Sequence, residues 1–169
     1  MKNIFIISGT MGVGKTTVCQ KLKNVLDNSV FLDGDRCWDM HPFQVNNETK
    51  EMVTENICFI LNNFIRCSVF ENIIFCWVMD RQEIIDSIVS KLDLSDCITR
   101  SISLVCSPEA LKKRLNGDIE RQLRTPDIIE RSLERLPHYG QLDTVKIDVS
   151  DKSVEHIVNE IVMKTGRTI

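Results

Sequence analysis

The sequence predicts a three-layer α/β fold: a five-stranded parallel sheet with helices on both faces and a short lid. Three observations carry it. Short β-branched apolar runs alternate along the chain with stretches of helical periodicity. A glycine-rich loop joins the first run to the first helical stretch. No internal repeat, low-complexity tract or linker interrupts the 169 residues, which fit one domain over 1–169. Strands separated by helices must cross over, so they pair in parallel, and a parallel sheet is covered on both faces.

The elements follow in order. Residues 3–8 form a short apolar run ended by glycine, the pattern of a strand buried on both faces. From Lys15 the period changes, with Val18, Leu22, Val25 and Leu26 on one helical face. Val30-Phe31-Leu32 is a second strand, closed by Asp33-Gly34-Asp35. A polar segment with His41-Pro42 precedes a long helix over 48–70, marked by Val53, Ile57, Ile60, Leu61, Phe64 and Ile65. Ile73 to Met79 is the third strand, and Ile84, Ile85, Ile88, Val89 and Leu92 mark the helix after it. Residues 101–106 form the fourth strand, and Ser107-Pro108 starts a helix with a serine cap and proline at the first position. Gly117 and Pro126 bracket a polar stretch without period, and a helix resumes at about residue 127. Residues 145–148 are the last strand, and Val154, Ile157, Val158, Ile161 and Val162 give a closing helix.

Composition limits the partners. The formal net charge of −3 disfavours a non-specific nucleic-acid binder, which gains its affinity by neutralising phosphates. The seven cysteines are scattered, contain no Cys-x-x-Cys spacing and sit mostly within apolar runs, which argues against zinc sites and a disulfide framework. No apolar stretch reaches transmembrane length, and the N-terminal run is too short for a signal-peptide core. The expectation is a cytoplasmic protein, not bound to membrane or nucleic acid. Its oligomeric state is not legible.

Gly9-Thr10-Met11-Gly12-Val13-Gly14-Lys15-Thr16 matches the full phosphate-loop pattern, with a strand before it and a helix after. Glycines let the backbone curl so that successive N–H groups face phosphate oxygens, and the helix adds its positive end. Residues 9–17, ending at Thr17, are therefore the expected ATP-binding segment. Lys15 is the candidate for bridging the β- and γ-phosphates, and the Thr16 hydroxyl for ligating Mg²⁺. A guanine-reading Asn-Lys-x-Asp element is missing from the sequence, which argues against a GTPase.

Asp33 and Asp35 fall at the C-terminal end of the second strand, the edge where open α/β sheets bind ligands. Phosphoryl transfer to a hydroxyl needs Mg²⁺ held near the phosphates and a group that receives the acceptor proton. Two carboxylates one residue apart can divide those roles; the alternative is an acidic Asp-Gly turn. The phosphate loop, Phe31-Leu32-Asp33-Gly34-Asp35 and His41-Pro42 together resemble the gluconate kinase family, and Asp33-x-Asp35 is also similar to the shikimate kinases. The resemblance implies a P-loop NTPase fold of nucleoside monophosphate kinase type, with Asp33 near the Mg²⁺ water shell and Asp35 as candidate base at the acceptor hydroxyl.

Arg114, Arg121, Arg124, Arg131 and Arg135 gather in and beside the non-periodic stretch, expected as a lid over about 115–128. Arginine suits phosphate through its planar, permanently charged fork, although interleaved acids also fit a solvated helix face. Arg124-Thr125-Pro126-Asp127 followed by Arg135-Leu136-Pro137-His138-Tyr139 is similar to the adenylate kinase lid and the helix after it, with Pro126 where that family has an aspartate. That resemblance implies Arg124 as a catalytic cation and Arg135 as a nucleotide contact; Arg121 is expected as a nucleotide contact from its place in the cluster. Taken whole, the chain resembles an AAA-type ATP-binding member of the P-loop small-molecule and nucleotide kinases.

Trp77 is a candidate for lining the acceptor pocket, and Asp80 for a second Mg²⁺-water acid; a core tryptophan and a helix cap are the plain alternatives. His41, His138 and His156 lack ligand spacing, and His156 is expected on the surface of the last helix. Residues 36–50, within a segment of about 36–70, carry the polar and aromatic mixture of an acceptor-recognition region. The expected reaction moves the γ-phosphoryl group of Mg-ATP to a small-molecule hydroxyl. The alternatives are a nucleoside monophosphate kinase, and an ATP-dependent switch or weak ATPase serving a protein partner.

Overall fold

The structure, a computed structural model, describes residues 1–166. Its strands are β1 (Lys2–Ser8), β2 (Ser29–Asp33), β3 (Asn72–Trp77), β4 (Cys97–Val105) and β5 (Val145–Asp148). Its helices are α1 (Lys15–Val25), α2 (Asn47–Arg66), α3 (Gln82–Val89), α4 (Pro108–Glu120), α5 (Ile128–Arg135), α6 (His138–Gln141) and α7 (Val154–Lys164). All strand pairs are parallel, in the order β2-β3-β1-β4-β5. The last residue of β1, Ser8, stands level with Trp77 of β3 and Ser103 of β4. The loop leaving β1 therefore emerges at the centre of the sheet's C-terminal edge.

Alternation along β1 divides the core into two layers. Ile4 and Ile6 point to one face, where they join Ile73 and Phe75 of β3, Val53, Ile57 and Leu61 of α2, and Ile85 and Ile88 of α3. Phe5 and Ile7 point to the other, against Val18 and Leu22 of α1 and Ile157, Val158 and Ile161 of α7. Each such buried side chain contributes about 1.5–3 kcal/mol relative to exposure. A third cluster, Leu111 and Leu115 of α4 with Ile128 of α5, packs beneath Met11 of the glycine-rich loop.

Helix starts follow local chemistry. Asn46 and Thr49 form a reciprocal capping box at α2, Ser107 caps α4 with Pro108 in its first turn, and Ser153 caps α7. Helix α1 differs: its cap is Gly14, with no side-chain cap and no acidic residue in the first turn, which leaves its first N–H groups directed outward.

Several boundaries depart from the sequence reading. Residues 34–38 form a 3-10 turn, in which the Asp33 side chain accepts from the Asp35 N–H. Helix α2 ends at Arg66 and β3 at Trp77, earlier than their apolar patterns suggest. Helix α4 continues through Gly117 to Glu120, so the irregular connection is 121–127. Buried Leu111 and Leu115 anchor that helix firmly enough to carry an internal glycine, whose cost is about 1 kcal/mol.

Candidate active site

The loop from Gly9 to Gly14 closes on itself around a lysine. Gly12 has φ +79 and Gly14 φ +103, values that glycine reaches without steric cost. At Gly12 there is also no room: an added Cβ would lie 2.3 Å from Leu115 Cδ2. Gly9 and Thr10 form the buried stem, and the Lys15 ammonium donates to their carbonyl oxygens at 2.9 and 3.1 Å. Burial pulls the Lys15 pKa below the ordinary lysine value; Cys76, Asp35 and Asp33 oppose that shift. The buried Thr10 hydroxyl donates to the Ser132 carbonyl at 2.9 Å, tying the loop to α5.

The two aspartates lie beside this loop. The Thr16 hydroxyl donates to Asp33 Oδ2 at 2.7 Å, across the gap between α1 and β2. Asp35 is held two residues on by the 3-10 turn. Its carboxylate meets solvent, yet it stands inside the cleft, and the surrounding protein raises its pKa by desolvation; Lys15 opposes and Asp33 reinforces that rise.

Two clefts flank the loop. The first, about 510 Å³, is lined by residues 11–18, Asp35, Arg114, Arg121, Arg124 and, at its far end, Lys152 and Ser153. The second, about 830 Å³, is lined by Asp33, Asp35, Arg36, Trp38, Phe43 and Trp77 among others. They meet at Met11, Thr16 and Asp35, which line both.

The arginines separate into distinct environments. Arg121 and Arg124 line the first cleft, and both pair with Asp118, at 2.8 and 3.2 Å. Arg131 pairs with Asp127 at 3.0 Å. Arg135, expected among the nucleotide contacts, lines the second cleft, with Nη1 3.8 Å from Met11 Sδ and Nε 3.7 Å from Asp80. Arg135 is the last residue of α5. Asp80, a candidate Mg²⁺-water acid, lies 3.7 Å from Arg135 Nε and 3.7 Å from His138 Nδ1. Trp77 lines the second cleft as its position at the strand end implies. His156 lies on α7 and is exposed.

Arg114 is the functional residue that sequence reasoning did not separate from its neighbours. Its guanidinium donates to the Val13 carbonyl at 3.2 Å, to the Ser150 carbonyl at 3.3 Å and to the Val149 carbonyl. It clamps the phosphate loop to the turn after β5. The only signal for it was its place on the inner face of α4, one residue before Leu115. Lys152 and Ser153, which close the first cleft, gave no signal beyond a helix cap.

A family model described as an AAA domain matches residues 5–135. No curated protein matches the sequence. Among solved structures, the chain is similar to a tunicamycin resistance protein of Deinococcus radiodurans, with 17% identity, TM-score 0.75, and 99% of this chain and 98% of that one covered. It is similar to a gluconokinase from Sinorhizobium meliloti 1021, with 17% identity, TM-score 0.68, and coverage of 94% and 88%. A shikimate kinase from Aquifex aeolicus aligns at 18% identity and TM-score 0.64 over 96% of this chain and 95% of that one. At these identities the likeness establishes the fold, which is that of the P-loop kinases. Among the described residues, no helix is long and apolar enough to cross a membrane.

Proposed function

The chain belongs to the AAA domain family, and from that premise we propose that it moves the γ-phosphoryl group of Mg-ATP to a hydroxyl of a small-molecule acceptor. One observation carries the proposal: a phosphate-loop cleft and a second, aromatic-lined cleft meet at Thr16 and Asp35. A hydrolase needs only the first.

The residues fit the requirements of in-line transfer. The Thr16 hydroxyl and the Asp33 carboxylate offer hard oxygen donors 2.7 Å apart, the chemistry that suits Mg²⁺, an ion that keeps several waters and takes few protein oxygens. When bound there, Mg²⁺ would neutralise phosphate charge. Lys15 exchanges its loop carbonyls for phosphate oxygens. Arg124, on the rim of the first cleft, supplies a second cation to the charge that builds in the transition state. Asp35 accepts the acceptor's hydroxyl proton as the acceptor oxygen bonds to the γ-phosphorus and the bond to the departing ADP oxygen breaks. Its raised pKa makes it a stronger base than an ordinary aspartate.

A nucleoside monophosphate acceptor is the second reading, favoured by Arg36, Arg131 and Arg135 around the second cleft. A carboxylate, Asp35, stands where the two clefts meet, which weighs toward the hydroxyl. The test is ADP release from Mg-ATP with pooled sugars, alkyl glycosides and other amphipathic alcohols, nucleosides, nucleoside monophosphates and aminoglycosides. Stimulation by a hydroxyl pool supports the proposal, and stimulation by monophosphates alone selects the second reading. A slow rate indifferent to every pool contradicts both and points to an ATPase switch.

A further inference from the structure

The acceptor cleft does not end where a small sugar would. A third cleft of about 800 Å³ continues from it and shares Trp38, Val45, Trp77, Val78 and Arg135 with it. Its far wall is built by Thr54 of α2 and by Ile84, Ser87 and Ile88 of α3. Either cleft alone is the size of a site for a drug-sized ligand.

Apart from Arg135, the shared stretch is apolar and aromatic. Trp38 and Phe43 pack with ring centroids 5.8 Å apart. Phe43 and Val45 are 65% and 55% exposed, although both line the acceptor cleft. Apolar side chains left bare along a cleft mark a surface that a ligand covers. The Trp77 ring is fixed from behind: a Cβ on Gly34 would lie 2.7 Å from its Cγ, so only glycine lets the ring seat there. The charge that enters the shared stretch is paired, because Arg135 Nε lies 3.7 Å from Asp80. The far end turns polar again at Lys50, Arg81 and Glu83.

Resting on the phosphotransfer reading, we infer that the acceptor is an elongated amphipathic alcohol spanning both clefts. Its reacting hydroxyl lies at Asp35 and its apolar body crosses Trp38 and Trp77 toward α3. A compact polar sugar would leave the tryptophan wall and the third cleft unused.

Trp38 and Trp77 are the chain's only tryptophans, so intrinsic fluorescence reports on this stretch directly. The probes are methyl and octyl β-glucoside, the latter held below its micelle concentration, titrated into the full chain with MgADP present. Each methylene that enters an apolar site tightens binding by about fourfold. The expected result is an emission change with octyl glucoside at a concentration at least tenfold below that needed with the methyl compound. Val45→Asp, on an exposed loop, should abolish the difference while MgADP affinity stays unchanged, and Ser87→Lys on the exposed face of α3 should reduce it. Equal response to both probes, or no response to either, overturns the inference, as does a length dependence that survives both substitutions. The readout involves no transfer. A kinase for small acceptors would release ADP without the length effect, and a chain that transfers nothing could still show it.

Discussion

Replacing Gly12 by alanine puts a methyl group where the structure has none to spare. The new Cβ would lie 2.3 Å from Leu115 Cδ2 and 2.9 Å from its Cγ, on a backbone with φ +79. Left-handed backbone costs an L-residue about 1–2 kcal/mol, and forcing a methyl into a packed core costs about 1–3 kcal/mol. Gly12→Ala should therefore destabilise the fold by about 2–5 kcal/mol in urea unfolding followed by circular dichroism. Leu115→Ala alone removes a fully buried side chain and should cost about 2–5 kcal/mol. The double variant relieves the clash and keeps the backbone strain, so the two changes should couple favourably by about 1–3 kcal/mol. MgADP affinity should fall in Gly12→Ala and recover in part in the double variant. Additive effects on stability would refute the reasoning, because they would mean that α4 does not set the position of the loop.

Arg114→Ala leaves the carbonyls of Val13, Val149 and Ser150 without their charged donor; a loss of about 2–4 kcal/mol in stability and weaker MgADP binding by calorimetry are expected, with Arg114→Lys recovering less than half. The raised pKa of Asp35 should place the acid limb of the kcat/KM profile at higher pH than an ordinary aspartate would, since activity needs the deprotonated carboxylate. The same shift has the opposite sign for stability: the folded state holds the proton more tightly, so this group's contribution falls as pH rises through its folded pKa. Asp35→Asn should then be at least as stable as the parent at pH 7, read by the same urea unfolding.

What was legible in the sequence was what is local. The phosphate loop is one contiguous segment between a strand and a helix, and its residues hold the positions that the pattern implies. Strand and helix placement followed from apolar period, because the two faces of β1 bury Ile4 and Ile6 on one side and Phe5 and Ile7 on the other. The second cleft was less legible because it gathers residues from 33–45, 77–78 and 131–135, which only the strand order β2-β3-β1 brings together. Trp77 and the segment 36–50 could be nominated separately, but not brought together in one cleft. Arginines were hardest to sort: Arg114, Arg121 and Arg135 look alike in sequence, yet they clamp a loop, pair on a rim and neutralise Asp80 respectively. Gly117 misled because glycine reads as a break, whereas the burial of its neighbours decides.

The central claim is that Asp35 takes the acceptor's proton at the junction of two clefts. With the acceptor found by pooled screening, transfer of labelled γ-phosphate is measured for the parent chain and Asp35→Asn, with MgADP affinity alongside. The account predicts a fall in kcat of about 10²–10⁴ with MgADP affinity within about twofold of the parent. Transfer by Asp35→Asn at the parent rate would contradict it.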